Sequence, residues 1–160
     1  MTTFTRFAPT TRAALLADLE ELWQRFDEVV GTLGPDDWSG QHGQHWTFPD
    51  VPYHLAYFDL EVIVTAIKGG LKVQTLEQFL CTETEQDAWK EITFTQRPPA
   101  TTPEQCLEQL WASRQAIRNA VADLGEADLE RPVFLPLVGL GWVSERVALE
   151  TCYSHTWNHL

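Results

Sequence analysis

Apolar residues recur every three or four positions in four stretches of this chain, and the gaps between those stretches are unequal. That period puts one side of a helix against a core, so the chain must pack helices joined by connections of very different length. From Thr11 to Leu33 the stripe is Leu15, Leu19, Leu22, Phe26, Val29 and Leu33, and Gly34-Pro35 of the LGPDDW stretch stops it. A second helix is expected to begin at Thr47, with Thr47 as cap, Pro49 in the first turn and Asp50 three residues on. It runs through Val51, Leu55, Phe58 and Val62 to Gly69-Gly70. The third has the clearest start, because Thr102-Pro103-Glu104-Gln105 reads as a capping box with proline at the first helical position. Its stripe of Cys106, Leu110, Ser113, Ile117 and Leu124 ends at Gly125. The fourth starts near Ser144 and carries Ala148, Cys152, His155 and His159 at steps of four, three and four.

Between the second and third helices, residues 71–101 hold short helices at most, around Leu76 to Leu80 and Asp87 to Glu91, and then a loop through Arg97-Pro98-Pro99. Residues 126–143 form another long connection, rich in Pro and Gly. A weak internal echo runs through the chain. A helix ending in LGPDDW leads to Trp46 and a histidine-bearing helix, and one ending in LGEADL leads to Trp142 and another, which suggests a two-fold arrangement of helix pairs.

Histidines turn this layout into a topology. His155 and His159 are spaced i and i+4, about one helical turn, so both imidazoles leave the same helix face. The spacing alone also suits two caps on a helix end or two surface residues. His54, in the second turn of the second helix, is the candidate third ligand. For it to meet the pair, the second and fourth helices must run antiparallel, whereas a simple up-down-up-down bundle makes them parallel. An up-down-down-up bundle solves this and needs a long crossover between helices two and three. About thirty residues are present there. The expected fold class is therefore all-α: a four-helix bundle of this topology, as a single domain over residues 1–160.

Charge and composition narrow the function. Against 23 Asp+Glu stand 11 Lys+Arg, a formal charge of -12 with no basic cluster, so nucleic acid and anionic membranes are not expected partners. The opening MTTFTRFAPTTR lacks the apolar run of a signal peptide, and no stretch approaches the roughly 18 apolar residues of a membrane span. A cytoplasmic protein is expected. Cys81, Cys106 and Cys152 are too scattered for a disulfide framework or a CxxC site. HTWNH lacks the glutamate of HExxH, and no histidine has Glu three residues before it, which removes the zincin and ferritin-like patterns. There is no P-loop and no GxGxxG.

Taken together, LGPDDW, WTFPDVPYHLAYFD, the long crossover and a final helix with HTWNH resemble the DinB/YfiT-like superfamily. The resemblance implies an up-down-down-up bundle with three metal-binding histidines, matched here by His54, His155 and His159. Three neutral imidazoles suit zinc, nickel or iron(II) and leave positions open for a water or a thiolate. Members with known activity resemble metal-dependent transferases or isomerases of low-molecular-weight thiols such as bacillithiol and mycothiol. The resemblance thus implies a small-molecule substrate and a thiol cofactor, and it makes a homodimer the expected assembly. The rival reading is a non-catalytic homodimeric ligand-binding or interaction bundle that keeps the fold without the chemistry.

Around the proposed ligands, Asp50 lies one turn before His54 and Glu61 two turns after it, so either can orient an imidazole or act as a base, while Asp50 equally serves the helix start. Cys152, one turn before His155, is a sulfur ligand, a reactive thiol or a small core residue. His42 and His45 lie in the loop entering the second helix, where they can line the pocket mouth, replace a ligand or face solvent. Among the seven tryptophans, Trp46, Trp142 and Trp157 are expected near the same end, with one or two walling a pocket.

Overall fold

A computed structural model of the chain describes residues 11–42, 46–69, 97–135 and 141–160. The described residues are mostly helical, with two short antiparallel strand pairs. Helix α1 (Arg12–Val30) is capped by Thr11, whose hydroxyl accepts from the Ala14 N–H at 3.2 Å. It buries Leu15, Leu19, Leu22, Trp23 and Phe26 and ends at Val30, three residues short of the expected Leu33. Val29 continues the arithmetic of the stripe but is 46% exposed. Trp23 takes up the buried face instead, since it sits one turn from both Leu19 and Phe26.

Pro35, expected only to stop α1, opens a short helix of its own, α2 (Pro35–Trp38). Proline at a first helical position forfeits no hydrogen bond, and the Asp37 carboxylate accepts from the Gly34 N–H at 2.7 Å. Strands β1 (Gln41–His42) and β2 (Trp46–Thr47) then pair antiparallel. The second long helix starts at Asp50 rather than Thr47. It comprises α3 (Asp50–Tyr57), a π-helical stretch over Phe58–Val64, and α4 (Thr65–Ile67). The π stretch widens the buried face: Phe58, Asp59, Val62, Ile63 and Val64 are all buried, which an α-helix does not achieve on a single stripe. The short helices expected around Leu76 to Leu80 and Asp87 to Glu91, and Cys81, lie outside the described residues.

Helix α5 (Pro103–Ala122) starts as expected, with reciprocal bonds between Thr102 and Gln105 at 2.9 and 3.3 Å, and ends three residues before Gly125. The connection expected as a plain loop over 126–143 contains a 3₁₀ turn (Glu126–Glu130) and the paired strands β3 (Pro132–Leu135) and β4 (Gly141–Ser144). Val133, Phe134 and Leu135 are buried against the core, so apolar burial outweighs the breaker-rich composition there. Helix α6 (Glu145–Trp157) is capped by the Ser144 hydroxyl, which accepts from the Val147 N–H. The internal echo has a structural counterpart, since Asp128 takes the Gly125 N–H at 2.6 Å as Asp37 takes that of Gly34. Each turn is followed by a strand pair and a histidine-bearing helix.

Contacts show which helices run together. Along α3 and its π extension, His54 meets His155, Phe58 meets His155 and Asp59 meets Cys152, so positions climb on one helix as they descend on α6. Between α1 and α5 the same order holds: Arg12 reaches the Leu124 carbonyl, Glu20 pairs with Arg118, and Asp27 with Arg114. Arg131 binds both the buried Glu145 carboxylate and the Ile67 carbonyl at 2.9 Å, tying the start of α6 to the end of α4. The main core joins α1, the π stretch, α4, α5, β3 and α6, and a smaller one of Phe26, Val51, Leu55, Ala56 and Leu110 lies beside the start of α3. No described helix is long and apolar enough to cross a membrane.

Candidate metal centre

The start of α3 is set by Asp50, whose Oδ2 accepts from both the Thr47 N–H (2.7 Å) and the Thr47 hydroxyl (2.6 Å). Thr47 therefore gives its hydroxyl proton to Asp50 and does not cap the helix, which is why the helix begins three residues later than expected. One turn on, His54 is buried at 2% exposure. On the facing helix, His155 is in the last turn of α6. His159 lies just beyond the helix, where the Asn158 and His159 N–H groups still bond back to Ser154 and Thr156 at 3.1 Å each.

The three imidazoles converge. One nitrogen from each lies within 4.8 Å of the others. Ring centroids are 4.7 Å apart for His54 and His155, 5.2 Å for His54 and His159, and 5.0 Å for His155 and His159. All three pairs are edge-on, at 67° to 88°, so nitrogens point at a shared space instead of rings stacking. The Nε2 atoms of His54 and His155 are 2.8 Å apart, so one must donate and the other accept. Two imidazole nitrogens on one zinc at about 2.1 Å lie about 3.0–3.4 Å apart, a separation bracketed by the 2.8 Å pair and the 4.8 Å limit. The donor set therefore fits a divalent cation, and the negative end of the α6 dipole favours positive charge there.

Among the described residues, two aromatic rings flank the cluster. Trp46 stacks on His159 (5.6 Å, 23°) and lies tilted 5.8 Å from His54. Phe58 packs on His155 at 3.9 Å. Trp46 thus lies beside two of the three histidines. Trp142 belongs elsewhere, because its ring packs on Phe134 in the β3–β4 pair, which leads into the start of α6 and not its histidine end. Trp157 is stacked on Tyr153 and covered by the Arg25 guanidinium.

The other candidates divide. Asp50 faces Thr47 and Arg97, which donates to its Oδ1, and among the described residues its hydrogen bonds go to these two and not to an imidazole. Burial alone would raise the Asp50 carboxyl, but the bonds from Thr47 and Arg97 outweigh it and hold the carboxyl below its ordinary value. Glu61 is exposed, on a shallow surface hollow with Tyr53, Tyr57 and Gln109. Cys152 has a different neighbour: its thiol is fully buried and faces Asp59, with Sγ 3.5 Å from Oδ1, and the converging group is made of the three histidines. Burial, followed by the nearby Asp59 charge, pushes that thiol well above its usual pKa, so it is a poor nucleophile. His45 lies outside the described residues, and His42 is placed only as part of β1.

Sequence reasoning missed the cluster beneath the histidines. Asp59 is 1% exposed, accepts from the Ser113 hydroxyl at 3.1 Å, faces the buried Cys152 thiol at 3.5 Å and feels the charge of the buried Arg114. Burial lifts its pKa to about 7 against the opposing pull of Ser113, Cys152 and Arg114. The only sequence signal was an aspartate between Phe58 and the apolar Val62-Ile63-Val64 run.

A family profile described as the DinB superfamily matches residues 18–160, with all three histidines inside the matched span. The chain belongs to the DinB superfamily. No curated protein matches it, and no solved structure does.

Proposed function

We propose that this DinB-superfamily protein holds a divalent metal ion through His54, His155 and His159, and uses it as a transferase or isomerase acting on a small molecule with a low-molecular-weight thiol. The observation that carries the metal reading is the convergence of three edge-on imidazoles from two helices. Zinc, nickel and iron(II) suit this donor set. When bound, such an ion supplies Lewis acidity and holds a water or thiol in its deprotonated form near neutral pH. The chain's own residues do the rest. The two helices fix the imidazoles, Trp46 and Phe58 cover their flanks, and the proton between His54 and His155 has to leave Nε2 on loading, which a shift to Nδ1 of the same ring achieves without net release. The antiparallel contacts of α1 with α5 and of α3 with α6 support an up-down-down-up four-helix bundle in one domain.

One observation favours the rival reading, a non-catalytic bundle that has kept the fold without the chemistry: Asp50 and Cys152 are engaged by Arg97 and Asp59, and Glu61 lies on an exposed surface hollow. Metal content by mass spectrometry tests the site, with bound metal expected in the wild type and lost in His54→Ala. Equal and negligible metal in both would sink it. Added zinc is also expected to raise the melting temperature of the wild type but not of His159→Ala. With metal binding established, a screen of thiols against electrophiles separates the enzyme from the silent bundle, and turnover that depends on thiol and metal supports the enzyme.

A further inference from the structure

The ligand least secured by secondary structure is His159. It follows the last helical residue, Trp157, and its backbone is tied back by one bond, to the Thr156 carbonyl. Terminal turns fray, and a ligand free to leave forfeits affinity to conformational entropy. Outside α6, and among the described residues, the ring nearest to parallel with its imidazole is the Trp46 indole.

Trp46 is itself braced. It sits in β2 beside Thr47 and packs on the small core of Phe26, Val51, Leu55, Ala56 and Leu110. Thr47 is bonded twice to Asp50 Oδ2, through its amide and its hydroxyl. The other Asp50 oxygen takes Arg97 Nε, while Arg97 Nη2 approaches the Thr47 hydroxyl at 3.4 Å and Nη1 the Thr101 carbonyl at 3.3 Å. Asp50 is 7% exposed and the Arg97 side chain 17%, so the pair is shielded from solvent screening. Because Asp50 and His54 are one turn apart on α3, this network locates the Trp46 ring relative to His54 while its face locates His159. Arg97 in turn precedes the Thr102 cap of α5, so the entrance to that helix is pinned to the same point.

We propose that Trp46, braced by Thr47, Asp50 and Arg97, is the positioning residue that holds His159 in the histidine cluster. This rests on the reading of His159 as a ligand, and it assigns Asp50 and Arg97 an indirect role in metal affinity with no contact to the ion.

The test measures zinc affinity of the full chain by competition with a chromophoric chelator, beside the proton NMR shift of the His159 Cε1–H in metal-free protein at fixed pH. Trp46→Leu is expected to weaken zinc binding about tenfold, Arg97→Gln by less, and Trp46→Phe to keep most of the affinity. Trp142→Leu, remote on the β3–β4 pair, is expected to change nothing. Stacking beneath the indole shifts the His159 proton upfield in the wild type, and that shift is lost in Trp46→Leu and kept in part in Trp46→Phe. Wild-type zinc affinity in both Trp46→Leu and Arg97→Gln overturns the proposal while leaving the metal reading intact. A wild type that takes up no zinc removes the metal reading instead, and the NMR shift then decides the positioning role, since equal shifts in wild type and Trp46→Leu overturn it. Should Trp46→Leu lose helical circular dichroism, Arg97→Gln and Trp46→Phe carry the comparison.

Discussion

Two polar clusters lie about one helical turn apart between α3 and α6, and they are built on opposite rules. The histidine cluster gathers three groups of one kind, with His155 and His159 only half-buried, and a 2.8 Å contact in it joins one ring nitrogen to another. The Asp59 cluster gathers a carboxyl, a hydroxyl, a thiol and a guanidinium, all nearly inaccessible; Ser113 and Cys152 donate to the carboxyl, and Arg114 adds its charge while its Nη1 donates to Asp27. Like groups converging on one space make a receptor for something that balances them, whereas unlike groups that satisfy one another make a closed structural element. Cys152 shows how narrow the boundary is, since it lies one turn from His155 and belongs wholly to the closed cluster.

The sharpest way to test that division is to remove the charge from the closed cluster. Asp59 keeps its proton in the folded state up to about pH 7 because burial disfavours the carboxylate, whereas the unfolded chain loses it near the ordinary value of 3.8. The folded state therefore binds the extra proton, and the stability this contributes is present at low pH and lost as pH rises toward 7. Between about pH 5.5 and 8 the wild type is expected to lose about 2 kcal/mol that Asp59→Asn does not lose, read from urea midpoints. A wild type and Asp59→Asn with parallel pH profiles would show that the buried carboxyl is already ionised. Metal affinity is expected to be the same in both proteins, which would separate the clusters functionally.

A smaller effect is expected from the thiol. Cys152→Ser places a hydroxyl where a soft, buried sulfur packs, at a cost of about 1–2 kcal/mol, with no change in metal content. Native Cys152 is expected to resist iodoacetamide at neutral pH and to react once the chain is unfolded, as peptide mass mapping would show. Fast labelling of Cys152 in the native protein would place it in the open cluster after all. The smallest effect is expected for Glu61→Gln, which changes an exposed charge on the surface hollow and should leave both stability and metal affinity unmoved. A clear loss of zinc binding there would bring the carboxylate into the site.

What was legible in the sequence follows the same line. The three histidines could be paired because helical spacing fixes which side chains share a face, and the crossover length fixed which helix directions could bring them together. The start of α5 could be read from Thr102 to Gln105 because the capping box is local chemistry. Thr47 misled because a hydroxyl can donate as well as accept, and only the geometry of Asp50 shows which it does. The strands flanking residues 136–140 were hidden by proline and glycine in a segment whose apolar residues are secured by tertiary burial. Asp59 was out of reach because nothing in its neighbours' spacing shows that the backbone changes period there.

That change of period carries a consequence for how the chain tolerates length. A π stretch has the geometry of an α-helix with one residue inserted, so Phe58–Val64 works as a splice between two registers: one keyed to the histidines, the other to the apolar core. Deleting a single residue within it would let an unbroken α-helix keep both registers, because the stretch already absorbs the turn of about 100° that the extra residue would add. A further residue inserted there would instead set His54 and the Val62–Ile67 face out of phase by about that angle. This helix is therefore expected to tolerate a one-residue deletion at the splice far better than an insertion.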